Sequence, residues 1–284
     1  TLNMLANIGN NRYRLIDFWT GTYRAATGSG ALNTSPISVA PYAVKFEKRL
    51  PVKIMFLALF FATIQYMFML GTRTQFAILL LIVILAALQF AYSEQGIAGV
   101  LKCIGIMAVI SLIAFLLYHF NVLSIRDYIL STNLAARYER RASLENADSF
   151  RFQSFWIGLR ELIQYPMGGR ASQVYRHNMW LDVGRVSGII PFCLLLVYSI
   201  KNFANVTVIW KNTKILPSLR YLLLFLYIGA YVNCFVEPIW EGALNFFLAL
   251  CVVDGMVSAM MRRLENDPTP EESVPDTSNL HADL

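Results

Sequence analysis

One stretch of the chain gathers groups that can move a proton beside a negative charge. Arg176, His177 and Asn178 are consecutive, and Asp182 and Arg185 follow within two helical turns. An imidazole with an unperturbed pKa of about 6.5 is a ready general base near neutral pH. Asn178 is a good N-cap for the apolar run 179–200. His177 then sits just before the positive end of a helix dipole, where an anion is favoured. Arg185 lies eight residues further on, with Asp182 at i−3 as a partner, and charges set within an apolar run usually face a polar cavity. The alternative for His177 is an interfacial residue bonded to a loop carbonyl.

A second signal is the choice of cation. Segment 120–178 carries eight arginines (126, 137, 140, 141, 151, 160, 170 and 176) and no lysine. Arginine presents a planar fork that binds phosphate bidentately and keeps its charge. The bias points to an anionic ligand, phosphate or pyrophosphate; a solvated loop with local ion pairs is the competing reading. Within the segment, 149–165 reads as an amphipathic helix with Arg151 at its entrance. Phe152, Phe155, Trp156, Leu159, Leu162 and Ile163 form its apolar stripe, and Ser154, Gly158 and Glu161 fall opposite. Arg73, in the turn LGTRTQ, is the only charge between two apolar runs, placed either to snorkel or to meet the same anion. Glu237, Trp240 and Glu241 occupy another short turn. His119 ends an apolar run, and His281 lies near the C-terminus. No phosphate-binding glycine loop, dinucleotide fingerprint or metal-ligand motif is present, so no cofactor and no metal is expected and phosphate charge falls to arginine.

The elements that must position these groups are membrane helices. Of 284 residues, 56% are hydrophobic and 15% charged, with a mean hydropathy of +0.49. A soluble domain carries about 25% charge. The balance excludes an ordinary cytosolic enzyme, a disordered chain and a nucleic-acid-binding module. The four cysteines lie in apolar runs without paired spacing and read as small hydrophobes. Crossing about 30 Å of hydrocarbon takes roughly 20 helical residues. Six runs qualify, at 52–70, 75–92, 98–119, 179–200, 218–236 and 242–261; a weaker seventh, 30–47, contains two prolines and several hydroxyls. No internal repeat and no broken span is visible.

Basic residues sort the connections. Lys45, Lys48, Arg49, Lys53, Lys102, Lys201, Lys211, Lys214, Arg220, Arg262 and Arg263 share one face, against Arg73 alone in the short turns of the other. The first face is expected to be cytoplasmic, which puts 120–178 outside. The formal charge is +6, and the last 21 residues hold six acids and no Lys or Arg. The expected organisation is an outside segment 1–33, a membrane domain 34–261 and a disordered cytoplasmic tail 262–284. The start at Thr1 suggests a piece lacking an N-terminal half.

Taken together, Gly71-Thr72-Arg73, Arg151 to Trp156, Tyr165 to Gly169, His177 to Asp182 and Gly188 to Phe192 resemble the bacterial O-antigen polymerase and O-antigen ligase superfamily, over about residues 30–261. The resemblance implies an all-α, polytopic transmembrane bundle of the GT-C type with a long periplasmic loop, in the bacterial inner membrane. It implies a metal-independent glycosyltransferase whose donor is an undecaprenyl-pyrophosphate-linked glycan. The acceptor would be a glycan repeat unit for a polymerase, towards which the stretch after His177 leans, or lipid A–core for a ligase. By that pattern His177 is catalytic, and Arg73 and Arg151 bind donor pyrophosphate; Arg176, Arg185 and Asn178 are the further candidate substrate-binding residues. Membrane lipids and a chain-length regulator are the other expected partners. A transporter or flippase of a lipid-linked oligosaccharide and an envelope scaffold are the readings from other classes.

Overall fold

The computed structural model describes residue 7 and residues 15–23, 26–142 and 147–266. Within them every regular element is a helix, apart from an isolated bridge between Ile16 and Tyr23. The helices are α1 (Ala26–Phe46), α2 (Leu50–Leu70), α3 (Arg73–His119), α4 (Ile125–Leu130), α5 (Asn133–Ala142), α6 (Ala147–Gln164), α7 (Met179–Ser187), α8 (Ile189–Lys211), α9 (Pro217–Val236), α10 (Ile239–Gly242) and α11 (Leu244–Asn266). Of the tail expected over 262–284, the first five residues continue α11, and 267–284 lie outside the described residues.

Five helices, α2, α3, α8, α9 and α11, are long and apolar enough to cross a membrane, so the chain is built as a multi-pass helical bundle. At 47 residues α3 would run about 70 Å if straight, over twice the hydrocarbon thickness. It is broken at Gly96 (φ 59°, ψ −143°). A Cβ on Gly99 would lie 2.3 Å from the carbonyl oxygen of Ala91, eight residues earlier. An unbroken helix would separate those positions by about 12 Å. The chain therefore doubles back, and its arms match the two spans expected at 75–92 and 98–119.

The run expected to span 179–200 is split instead at Gly188 (φ 95°) into the nine-residue α7 and the long α8. Pro191 explains the division. A helix interior does not tolerate a residue without an N–H whose ring meets the carbonyl four residues back, but a first turn does. Hydropathy counts only the apolar residues and passes over this break. Lys201, assigned to a connection from sequence, consequently lies within α8. The weak seventh run becomes α1, four residues longer at its start than expected, packed among α2, α3 and α9 with Ala31, Ile37 and Ser38 fully buried. A helix enclosed by protein can carry hydroxyls that a lipid-facing one cannot.

Contacts sort the ends of the helices into two sets. At one end Phe46, Phe90 and Trp210 pack on Tyr221, and Lys45 pairs with Glu94. At the other, Asn133 Nδ2 donates to the carbonyl of Met69 at 2.6 Å, Tyr128 donates to Gln65, and Gly28 lies against the carbonyl of Gly242. Between the ends, Asp254 of α11 accepts hydrogen bonds from Tyr198 of α8, at 2.7 Å, and Tyr227 of α9, tying three helices together.

Candidate functional site

The site is assembled on α7. Asn178 caps it as expected: its Oδ1 accepts from the Leu181 N–H at 3.1 Å, while Nδ2 donates to the carbonyl of Phe235 at 3.2 Å. The helix that it caps is the short α7, not a spanning one. Seven consecutive residues, Met179 to Arg185, are buried, so α7 is inside the assembly on every side. The Tyr165–Gly169 turn is stitched to its C-terminal end. Gly169 N–H donates to Val186 O (2.9 Å), Arg170 N–H to Arg185 O (3.1 Å) and Ile189 N–H to Pro166 O (2.8 Å). A Cβ on Gly188 would meet the carbonyl oxygen of Pro166 at 2.4 Å, and its φ of 95° is open in practice to glycine alone.

Helix α6 packs against α7 mainly with the face opposite to its apolar stripe. Ser154 and Gly158 are buried, and a Cβ on Gly158 would lie 3.1 Å from Leu181 and 3.3 Å from Arg176. Phe152, Trp156 and Ile163 of the stripe are exposed, while Leu162 is buried at the seam. The small-residue face permits close approach, as in membrane interfaces, where apolar side chains gain nothing by turning inward.

His177, next after Arg176, adopts the left-handed region, with φ 55°. Its ring stands edge-on to Tyr175, with centroids 4.7 Å apart. It lines a pocket of about 430 Å³ with Phe152, Phe155, Arg176, Asn178, Phe235 and Val236. Phe155 and Phe235, 6.0 Å apart, join α6 to the end of α9 across this pocket. Phe152, Phe155, Phe235 and Val236 make the walls mainly apolar, and Arg176, His177 and Asn178 are the polar residues that line them. Trp156, Leu159, Arg160, Leu162, Ile163 and Ile189 border a second, more open hollow on the outer side of α6.

The other sequence candidates divide. Arg176 directs its fork to Glu161: Nη2 donates to Oε1 at 2.7 Å and Nε to Oε2 at 3.0 Å. Arg185, with 1% of its side chain exposed, donates from Nη1 to the carbonyls of Arg170 (2.5 Å), Ala171 (3.0 Å) and Gln173 (2.8 Å), and from Nη2 to Glu241. Both forks hold the fold around the pocket, which Arg176 also lines. Asp182, near Arg185 as foreseen (3.8 Å), also accepts from the Arg176 backbone N–H at 2.6 Å. Burial raises the Asp182 carboxyl pKa above its ordinary value and lowers that of the Arg185 guanidinium.

Arg73 is the first residue of α3, half-buried, with its guanidinium 5.9 Å from the centroid of the Tyr138 ring. Two residues on, Gln75 donates to Asn233 at 3.4 Å, just before Phe235, which holds Asn178. Arg73 and His177 thus occupy the same end of the bundle, each close to a residue, Gln75 or Asn178, that is tied to the last turns of α9. Arg137, counted among the loop arginines, donates to the carbonyl of Gly71 at 2.5 Å beside Arg73. Arg151 belongs to α6, but its side chain lies outside the described residues. Among the described residues, no three His, Cys, Asp or Glu side chains gather as a metal site.

Sequence reasoning placed Glu161 only among the acids able to pair with the loop arginines, without giving Arg176 as its partner, and it missed Asp182's bond to Arg176 and the Phe235 wall. These partners are 15, 6 and 57 residues from the groups they serve. Only the Asp182 spacing falls within reach of a local rule. Comparison with family models, with curated proteins and with solved structures finds no match for the chain.

Proposed function

We propose that the chain is a membrane glycosyltransferase that takes its donor glycan from undecaprenyl pyrophosphate and extends an acceptor glycan, at the periplasmic face of a bacterial inner membrane. The observation that carries the reading is the imidazole of His177 on the wall of an apolar pocket, at the end of the bundle where Arg73 also lies. His177 takes the proton of an acceptor hydroxyl. The hydroxyl oxygen bonds to the anomeric carbon of the donor, and the bond from that carbon to the phosphate oxygen breaks. The electron pair leaves with the lipid pyrophosphate. Negative charge grows on the leaving group, so a fixed guanidinium such as Arg73 stabilises the transition state more than the ground state. Transfer of a finished glycan to lipid A–core uses the same chemistry with another acceptor.

The break between α7 and α8 and the buried Arg185 favour a second reading, since discontinuous helices mark the binding sites of transporters. Against it, the Arg185 fork is engaged by three carbonyls and Glu241. Transport would move the lipid-linked glycan across a vesicle bilayer with its pyrophosphate bond intact.

The test is transfer from purified donor by wild type, His177→Ala and His177→Gln. Both variants should accumulate normally and lose transfer by about 10²–10⁴-fold, the worth of a positioned proton acceptor. Normal transfer by the Gln variant would reduce His177 to orienting the acceptor. Chelator should change nothing. In cells, loss of a polymerase leaves core plus one repeat unit, and loss of a ligase leaves bare core.

A further inference from the structure

We infer that Asp182 is the positioning residue of His177, acting through the backbone of Arg176. The inference rests on the proposed role of His177 as proton acceptor. Three observations meet there. The side chain of Asp182 is fully buried, and its Oδ1 accepts the Arg176 N–H at 2.6 Å, one peptide before His177. On the other side, Asn178 is held twice, by the Leu181 N–H and by the carbonyl of Phe235. Between these anchors His177 stands at φ 55°, a backbone region that a non-glycine residue keeps only when its surroundings over-determine it.

Arg176 is fixed at both of its ends. Its N–H is held by Asp182, and its guanidinium is forked onto Glu161 of α6, which is the helix that supplies Phe152 and Phe155 to the pocket. Asp182 thereby links the register of α7 to the direction in which the imidazole points. Without the Oδ1 acceptor, the Tyr175–Arg176 peptide loses the bond that fixes it, Arg176 can turn, and the His177 ring is no longer held at the pocket wall. The acceptor oxygen, rather than the charge, does this. An asparagine at 182 retains that oxygen in place, and burial already disfavours the charged carboxylate. Arg185 keeps its carbonyls and Glu241 in either case.

The experiment compares Asp182→Ala with Asp182→Asn in a chain whose other two histidines, His119 and His281, are replaced by Gln, so that His177 is the sole imidazole. Carbethoxylation by diethyl pyrocarbonate, followed against pH, reads the accessibility and titration of His177 without any glycan. Asp182→Ala should carbethoxylate faster than the parent, with a displaced pH profile, and lose turnover by about 10²-fold with an unchanged KM for acceptor. Asp182→Asn should restore the parent's reactivity and most of its turnover. Unchanged reactivity in the Ala variant overturns the inference. So does an Asn variant that accumulates normally but behaves like Ala, since charge would then be the property that counts. If the Ala variant does not accumulate, Asp182→Glu replaces it. Glu keeps the charge and displaces the oxygen by one methylene, so it should lose transfer, and wild-type transfer overturns the inference. If reactivity responds as stated while transfer is indifferent to His177, the positioning stands and the proposed transferase role of His177 falls.

Discussion

At the scale of single residues, the arginines separate by what their forks already hold. Arg176 and Arg185 are spent on Glu161 and on a group of carbonyls with Glu241, so an incoming anion would have to displace strong, short bonds. Arg73 is half-buried at the start of α3, over the Tyr138 ring. Its neighbour Arg137 grips the carbonyl of Gly71 and so fixes the turn from which Arg73 projects. Arg137 is therefore part of this turn rather than a solvated charge. If Arg73 binds pyrophosphate as a fork, Arg73→Lys preserves the charge and loses the bidentate geometry, which should lower transfer by about tenfold or more. Arg137→Lys should lower it less, through a looser turn. Arg126→Lys, on an exposed side chain, should leave it unchanged. Equal rates for the Arg73 and Arg126 variants, measured on purified donor, would remove Arg73 from the site.

At the scale of elements, the decisive feature is the junction of α7 and α8. It lets α7 lie buried while α8 crosses the bundle, and it brings His177 to the pocket. Gly188 carries the junction, with φ 95° and no room for a Cβ beside Pro166. Gly188→Ala should destabilise the fold by about 1–3 kcal/mol, read as a lower Tm in detergent, because backbone strain and a displaced Pro166 turn act together. A melting point equal to wild type would mean that the junction tolerates rearrangement. The same junction shows what sequence could and could not give. Long apolar runs announced the spans, and the Asn178 cap was legible because capping is local. The break before Pro191 was hidden because an apolar run looks continuous across it. The apolar stripe of α6 left open whether it faced the bundle or the membrane, because both are apolar; the side buried against protein is that of Ser154 and Gly158. The clamp of Arg176 on Glu161 joins the segment before α7 to α6 across fifteen residues, which no periodicity encodes.

At the scale of the molecule, the two arms of α3 complete an alternation. Taken in order, α1, α2, the arms of α3, α8, α9 and α11 run back and forth between two ends. One end gathers residues 47–49, 96 and 212–216, and the other gathers 71–72, 120–142, 147–178 and 237–243. The basic residues follow that division. Lys45, Lys48, Arg49 and Lys53 cluster at the first end with Lys211, Lys214, Arg220, Arg262 and Arg263. Even with Lys201 moved into α8, the short turns of the site-bearing end contribute Arg73 alone. Such an imbalance in short connections sets orientation, and the long 120–178 segment is largely exempt from the rule. The end that carries His177 and Arg73 should therefore face away from the cytoplasm. In a chain lacking Cys103, Cys193, Cys234 and Cys251, single cysteines at positions 126 and 213 should react oppositely with a membrane-impermeant maleimide applied to spheroplasts. Position 126 should label in intact spheroplasts, and position 213 only after lysis. Labelling of 213 alone from outside would turn the bundle over and put the pocket in the cytoplasm. A glycan acceptor on the periplasmic side could not then reach His177, and the transferase reading would fall with the orientation.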